Sequence, residues 1–260
     1  MKAFALGTGG FVATEEKETA CYLLQLGEAG VLLDAGTGIK RLGNDVFRKM
    51  ISKLSELHIV FSHMHHDHVI GFNWLFKLCS IPLHIHIPTV PLLDKDVSTV
   101  LETLTSPPIF PKPIGKWPHF VATHTFGEGG FDLLDHQVKV HRQSHAGGSV
   151  GIRIADFAYL TDVDPTEKLV DFVRGCSLVL LDTMYDKAEY NKRGHDPNSP
   201  GQHGYGEGNA AFAKKAEIKR LGLIHINPFY DEERRSALLS ATKSVFPDAF
   251  MPQDGDQLFY

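Results

Sequence analysis

The feature that most constrains this chain is the run His63-Met64-His65-His66-Asp67-His68, which directly follows an apolar segment. Residues 57–61 are predicted to form a buried strand, so the histidines begin where a loop presents side chains over a sheet edge. Divalent metals of borderline softness bind neutral imidazole nitrogen and carboxylate oxygen, and histidines clustered with an aspartate at such spacing have few other uses. The candidate metal ligands in this run are His63, His65, Asp67 and His68.

The rest of the chain alternates short apolar runs, typical of strands, with amphipathic helical patterns. This order predicts an α/β sandwich in which helices cover two facing sheets. Because 260 residues bury a sizeable core and no linker interrupts them, we expect one domain spanning residues 1–260. Helices are predicted over residues 39–54 and 90–104, and a long polar loop over residues 186–208.

Composition bears on partners and location. The formal net charge is −5, from 26 Lys plus Arg against 31 Asp plus Glu, and no basic run tracks a phosphate backbone. We therefore expect a small anionic substrate and no long nucleic acid. No stretch approaches the ~20 apolar residues of a spanning helix, so we expect no membrane association and a cytoplasmic location. The sequence leaves a homodimer open.

A turn after the strand can point His63 and His65 one way and Asp67 and His68 the other, a geometry that serves two adjacent ions. Four ligands cannot fill two coordination spheres, so further ligands must lie elsewhere in the chain, again at strand ends. His145 follows one predicted strand, Asp162 follows another, and His225 lies at the end of a third. Taken singly, each would more often be an ordinary polar residue. Their common placement at strand ends makes them candidate ligands.

The chain resembles the metallo-β-lactamase superfamily, whose His-x-His-x-Asp-His signature is matched by the histidine run, and the resemblance extends over nearly the whole chain. It implies a four-layer αββα sandwich and two divalent ions that share Asp162. One ion would take His63, His65, His145 and Asp162, and the other Asp67, His68, Asp162 and His225. Zinc is the expected metal, with manganese and iron as alternatives.

Finer features resemble the phosphodiesterase-like branch of this superfamily, which includes the cyclic phosphodiesterase of the carbon-phosphorus pathway and the tRNA 3′-end endonuclease. They lie at residues 69–72, 107–111, 146–151, 182–190 and 224–228. An Asp at position 162, where the commonest β-lactamases carry Cys, argues against lactam hydrolysis. The branch also has a further histidine near its penultimate helix. Here His203 in Gly201-Gln202-His203-Gly204 is preferred, and His195 is its rival.

The resemblance implies a dinuclear hydrolase that cleaves a small or cyclic phosphodiester through a metal-bridging hydroxide, with His203 and Asp67 as catalytic residues. Hydrolysis of an ester, thioester or lactone is the alternative activity, and a metal or metabolite carrier without turnover is the alternative class. Asp34 either orients a ligand imidazole or caps a turn. Residues 107–120 either roof the site or pack on their own aromatics, and His84 and His86 are expected on the surface.

Overall fold

Two mixed sheets, each of seven strands, face each other in the computed structural model, which describes residues 1–194 and 202–259. The strands of the first sheet are β1 (Lys2–Gly7), β2 (Cys21–Leu26), β3 (Ala29–Leu33), β4 (Glu56–Val60), β5 (Leu83–Pro88), β6 (Phe120–Phe126) and β14 (Gln257–Phe259). Those of the second are β7 (Phe131–Leu133), β8 (His136–Gln143), β9 (Ser149–Ile154), β10 (Phe157–Leu160), β11 (Leu178–Asp182), β12 (Leu221–Ile224) and β13 (Ala249–Phe250). The spatial orders are β14-β1-β2-β3-β4-β5-β6 and β13-β12-β11-β10-β9-β8-β7.

Parallel pairing brings the carboxyl ends of several strands to one edge of each sheet. In the first sheet β3, β4, β5 and β6 are parallel neighbours. In the second, β10, β11, β12 and β13 are parallel neighbours. Side chains that follow these strands therefore meet where the two edges face each other.

Helices cover the outer face of each sheet. They are α1 (Asp45–Ile51), α2 (His66–Val69), α3 (Leu75–Leu78), α4 (Val100–Thr105), α5 (Glu167–Val173), α6 (Lys187–Arg193), α7 (Gly206–Lys215) and α8 (Glu232–Val245), with 3-10 turns at Thr37–Gly43, Phe72–Trp74 and Ile114–Lys116. None of the helices in the described residues is long and apolar enough to cross a bilayer.

The period-two alternation of the strands explains the layers. In β2, Tyr22 and Leu24 face the core between the sheets, whereas Cys21 and Leu23 face the outer core under the first helical layer. A third apolar cluster lies under α5, α7 and α8 on the other side. Because both faces of the sheets are covered, the predicted αββα sandwich is confirmed.

Three local predictions were wrong, each for a readable reason. The helix expected at residues 39–54 is broken at Asn44, whose extended backbone separates a 3-10 turn from α1. The helix expected at residues 90–104 forms only in α4, and upstream the Asp96 carboxylate accepts from the Ser98 N–H in a local turn that competes with helix. The loop expected at residues 186–208 contains α6, which the Asp186 side chain caps by accepting from the Glu189 N–H.

Candidate metal centre

The candidate ligands come from strand ends of both sheets. His63 follows β4 closely, and Asp67 and His68 lie on the short helix α2 behind it. From the second sheet, Asp162 follows β10 and His225 directly follows β12. His145 comes after β8. The structure brings all of the predicted ligands together, namely His63, His65, Asp67, His68, His145, Asp162 and His225.

One group of four potential donors gathers around one carboxylate oxygen of Asp162. His145 Nε2 lies 3.3 Å and His63 Nε2 3.7 Å from Asp162 Oδ2. His65 Nδ1 lies 2.9 Å from His145 Nε2. The potential ligand atoms of these four residues all lie within 4.8 Å of one another, so together they could hold a metal ion.

A second group uses the other oxygen of Asp162. His68 Nε2 lies 3.1 Å and His225 Nε2 3.3 Å from Asp162 Oδ1. The same two nitrogens lie 3.3 Å and 3.2 Å from Asp67 Oδ2. Asp162 thus turns one oxygen toward each histidine group, as a residue shared by two adjacent ions would.

These separations fit divalent metals. Two ligands of a tetrahedral ion with bonds of about 2.0–2.1 Å stand about 3.3–3.4 Å apart, close to most of the distances above. One potential donor, His63 Nε2, is buried without a hydrogen-bond partner. A buried nitrogen without a partner is costly, and a metal ion would satisfy this atom.

The protonation states differ between the two groups. Burial, with His68 nearby, holds the pKa of His63 well below its usual value, and burial lowers the pKa of His145 to about 4. Burial opposes ionisation of Asp162, but His225, His68 and His63 outweigh it and hold its pKa well below the usual range. In the second group burial opposes charge on His68 and His225, but Asp162 and the neighbouring carboxylates raise both pKa values, so an ion there displaces protons from these rings.

Asp34, which follows β3, orients one of these histidines. Its Oδ2 lies 2.7 Å from His68 Nδ1 and accepts hydrogen bonds from Ser62 Oγ at 2.7 Å and Tyr159 OH at 2.8 Å. Its Oδ1 accepts from the Ser62 N–H at 2.7 Å. Asp34 is fully buried, so of the two roles left open by the sequence the structure supports orientation of a histidine.

His203 stands beside the two groups of donors, and with Asp162 and His225 it forms a third set whose potential ligand atoms lie within 4.8 Å of one another. Its ring centre is 5.7 Å from that of His145 and 5.5 Å from that of His225. Its Nδ1 lies 2.6 Å from Asp182 Oδ2, which leaves Nε2 as the atom free to face a substrate. The rival, His195, lies outside the described residues.

Asp182 is the residue that sequence reasoning missed. It is the last residue of β11, fully buried, and its Oδ2 also accepts from the Val163 N–H. Burial opposes the charge on His203, but Asp182, with Asp162 and Asp67 behind it, raises the pKa of His203 to about 9. The signal was available: an Asp ends a fully apolar strand, in the same position relative to its sheet as Asp162 and His225.

The backbone is strained at the strand ends that carry the site. Asp34, Asp162 and His225 have φ values of 60°, 54° and 56°, in the left-handed region that few residues other than glycine adopt. Each such residue costs on the order of 1–3 kcal/mol, which the surrounding packing must offset. Gly10 permits one of these arrangements, because a Cβ there would stand 2.7 Å from the His225 ring.

A cavity of about 750 Å³ opens over the donors. Its rim carries two aromatic side chains that are unusually exposed, Phe11 at 67% and Phe229 at 78%, and its wall includes Arg193. Residues 107–120 do not line it; Phe110 and Trp117 pack instead against Phe76 of the outer layer. Between the two expectations for that segment, packing on aromatics is therefore the one observed.

Comparisons with known proteins agree with this geometry. A family model described as "Beta-lactamase superfamily domain" matches residues 30–226. Ribonuclease Z of Metallosphaera sedula is 25% identical over 300 aligned positions, covering 98% of this chain and 97% of that protein. The metallo-beta-lactamase fold protein YhfI from Bacillus subtilis superposes with a TM-score of 0.77 at 20% identity, covering 99% of this chain and 98% of that one. A diphosphatase from the PhnP family gives 0.70 at 17% identity, covering 100% and 97%.

These matches confirm the expected resemblance and correct one inference drawn from charge. The expectation that long nucleic acid is excluded as a partner is wrong, because a relative named as a ribonuclease matches nearly the whole chain. Net charge averages over the entire surface, whereas a nucleic acid responds to the local field. Bound divalent cations change the charge at a site, and a count of residues omits them.

Proposed function

The chain belongs to the beta-lactamase superfamily and is a metal-dependent hydrolase, and from that premise we propose that it cleaves phosphodiesters at a pair of divalent ions. His63, His65, His145 and Asp162 would hold one ion, and Asp67, His68, Asp162 and His225 the other. The observation that carries the proposal is the orientation of Asp162, whose two oxygens face different histidine groups at 3.1–3.3 Å from three of their nitrogens. Zinc suits this mixture of imidazole and carboxylate, and manganese and iron remain alternatives.

Two divalent ions at this place would stabilise charge on phosphoryl oxygens and lower the pKa of water from about 15.7 towards about 7. The residues of the chain supply the rest. Asp34 fixes the orientation of His68, and the Phe11 N–H donates to Asp67 Oδ2 at 2.9 Å, so the donors are held before substrate arrives. Pre-positioned groups act without reorganisation during the reaction.

His203 is the proposed proton donor. Asp182 holds its Nδ1 at 2.6 Å, and this buried carboxylate favours the protonated form of the ring. From beside the donors, Nε2 can bond a phosphoryl oxygen or protonate the leaving alkoxide. Asp67 is the second residue expected to be catalytic. In this proposal it holds one ion, and the hydrogen bond from the Phe11 N–H keeps its carboxylate in position.

A small or cyclic nucleotide diester is the first substrate candidate, because the cavity is of the size that encloses a small ligand. The exposed rings of Phe11 and Phe229 could stack a base, and Arg193, whose guanidinium pairs with Glu189 at 2.7 Å, lies on the wall. RNA is the second candidate, since the Metallosphaera relative is named Ribonuclease Z. In both candidate substrates the bond to be cleaved is a ribose phosphodiester, and it would lie over the same residues.

The test is a side-by-side assay of metal-loaded protein on bis(p-nitrophenyl) phosphate, a cyclic nucleotide, RNA with a 3′ extension, a lactone and a thioester. We expect kcat/KM to be highest on a phosphodiester. His203→Ala should retain its metal yet lose roughly 10²–10⁴-fold in kcat, and less on p-nitrophenyl esters, whose leaving group needs little protonation. His195→Ala is expected to be nearly silent.

Higher kcat/KM on the lactone or thioester would replace the proposal with the alternative activity, and full binding without turnover of any of these compounds would favour a carrier. Elemental analysis tests the ion pair separately. Asp162→Ala should lower occupancy of both ions, whereas His145→Ala should empty mainly one. A loss confined to one ion in Asp162→Ala would refute the shared ligand.

A further inference from the structure

Two phenylalanines are exposed to solvent, and both stand at the mouth of the cavity over the metal centre. Phe11 is 67% exposed and Phe229 is 78% exposed, whereas every other phenylalanine whose side-chain burial the structure describes is buried or half-buried. Both rings line the same cavity, although they are far apart in the chain. Large apolar side chains that are left exposed together beside a cavity mark a binding surface.

The loops that carry these two rings run side by side. Gly9 pairs with Ile226 in an isolated parallel bridge, and the Gly10 N–H donates to the Ile226 carbonyl at 3.4 Å. Phe11 directly follows Gly10, and Phe229 comes shortly after Ile226. The pairing of their loops therefore brings the two rings to one side of the cavity mouth.

The backbone at Phe11 is held in an unfavourable conformation. The Val12 N–H donates to the Gly10 carbonyl at 2.8 Å, so Phe11 is the central residue of a γ-turn, and its φ of 63° lies in the left-handed region. Bulky residues seldom adopt this region. The Phe11 N–H donates to Asp67 Oδ2 at 2.9 Å, which ties the turn to the metal centre. Such strained residues cluster at ligand-binding sites, and here the turn fixes the position of an exposed ring.

Phe229 is fixed by a different turn. Its N–H donates to Asn227 Oδ1 at 3.0 Å, and the Tyr230 N–H donates to the Asn227 carbonyl at 3.1 Å. Tyr230 is buried, and its OH donates to Glu189 Oε2 at 2.8 Å. The loop is therefore anchored on both sides of the exposed ring, by His225 before it and by Tyr230 after it.

Neither ring packs on another aromatic ring within residues 1–194 and 202–259. Tyr185, which lines the same cavity, differs in this respect, because the Arg193 guanidinium lies over its ring at 4.5 Å. The faces of Phe11 and Phe229 are thus available to a planar group of a ligand. In alanine substitutions, loss of one aromatic side chain that stacks on a base weakens binding by roughly 5–100-fold.

A nucleobase fits this surface better than an alkyl chain does. A base has a flat π face that stacks on a ring held in a fixed position, whereas a flexible chain gains little from planar side chains. The two turns keep the rings in place, which suits a rigid ligand. The cavity of about 750 Å³ is also of the size that encloses a small ligand such as a nucleotide.

We propose that Phe11 and Phe229, the aromatic pair, stack the base of a nucleoside phosphodiester and so set the substrate specificity of the chain. The inference rests on the proposed phosphodiesterase function, because the base must be joined to the phosphoryl group at the metal centre. Phe11 is bonded to Asp67 and Phe229 follows His225, so the base lies on the side of the second group of donors. The aromatic pair makes the chain select nucleoside diesters over alkyl diesters.

The test compares the methyl, hexyl and thymidine esters of p-nitrophenyl phosphate, which share one leaving group. The wild type should show its lowest KM on the thymidine ester. Phe11→Leu and Phe229→Leu keep an apolar side chain but remove the flat ring. Each should lower the ratio of kcat/KM on the thymidine ester to that on the methyl ester by roughly 5–100-fold, mainly through KM.

Phe11→Tyr and Phe229→Tyr keep the ring and should retain the preference for the thymidine ester. Val46→Ala is the control, because it trims an exposed apolar side chain on α1 that does not line the cavity. Its ratio should equal that of the wild type. A hexyl ester with a KM as low as that of the thymidine ester would overturn the proposal, since any apolar group would then be accepted.

Binding of ethenoadenosine, a fluorescent nucleoside without phosphate, measures the aromatic pair without turnover. The full chain as purified should bind it, and each leucine variant should bind it about 5-fold or more weakly. If none of the three diesters is cleaved, the proposed function fails, and this binding assay alone decides the role of the aromatic pair. Equal nucleoside affinity in the wild type and both leucine variants, or an unchanged ratio of kcat/KM in both, would overturn the proposal.

Discussion

Replacing Asp34 by asparagine tests whether one buried carboxylate sets the geometry of the second histidine group. Asp34 Oδ2 contacts three donors, on Ser62 Oγ, His68 Nδ1 and Tyr159 OH, while Oδ1 accepts from the Ser62 N–H. An amide has one acceptor oxygen and one donor nitrogen. The substituted side chain must therefore turn its NH2 group either against the Ser62 N–H or against His68.

Either orientation leaves a backbone or imidazole donor unsatisfied in a fully buried place. Such a donor costs about 1–3 kcal/mol, and the remaining hydrogen bonds lose the assistance of a charge. We therefore expect Asp34→Asn to lower the free energy of unfolding by about 2–4 kcal/mol. Because His68 loses its orienting partner, affinity for the ion at Asp67, His68 and His225 should fall roughly 10–100-fold.

Denaturant unfolding measures the first quantity, and competition with a fluorescent chelator measures the second. Tyr159→Phe is the matched control, because it removes one hydrogen bond to the same oxygen but leaves His68 Nδ1 its acceptor. It should lower stability by about 1 kcal/mol with little change in metal affinity. If Asp34→Asn binds metal as tightly as the wild type, Asp34 only caps a turn and the reasoning fails.

Two further predictions concern protonation. Asp182→Asn should lower the pKa of His203 by about 1–2 units, the equivalent of a lost hydrogen bond to a charged group, so the alkaline fall in kcat should begin at correspondingly lower pH. A uniform loss of kcat with an unshifted pH profile would mean that Asp182 is only structural. Burial lowers the pKa of His86 to about 3 in the folded chain, against about 6.5 in the unfolded chain. The stability that neutral His86 contributes is therefore present above pH ~6.5 and is lost as pH falls towards 3. Between pH 6.5 and 4.5 the free energy of unfolding of chelator-treated His86→Gln should therefore fall by about 2 kcal/mol less than that of the wild type. Parallel curves of unfolding free energy against pH for the two proteins would contradict this.

The donors of the metal centre could be predicted from sequence because their signal is local. A histidine-rich run after an apolar strand fixes both chemistry and place, and His145, Asp162 and His225 share that placement at strand ends. Their convergence, however, depends on which strands are neighbours. Only the parallel order β10, β11, β12 brings Asp162, Asp182 and His225 to one edge, and periodicity along a chain carries no information about strand order.

The histidines of β5 show the same limit of prediction from sequence. His84 and His86 alternate along one strand, a pattern equally typical of a solvent face and of a face covered by another sheet. His86 is buried, so the expectation that it lies on the surface was wrong, and Phe131 of the second sheet, far along the chain, stacks on its ring with centres 4.5 Å apart. Helix boundaries failed for a different reason, because short side-chain hydrogen bonds such as that of Asp96 compete locally with helix.

Each sheet contributes one buried carboxylate that positions a histidine of the site, Asp34 for His68 and Asp182 for His203. The distance between the two groups of side chains is therefore set by how the sheets pack. Tyr159 of β10 crosses that interface to donate to Asp34, and its ring packs on Tyr22 of β2 with centres 5.2 Å apart. Since packed cores resist deformation, the apolar core between the sheets fixes the catalytic geometry as much as the loops that carry the donors do.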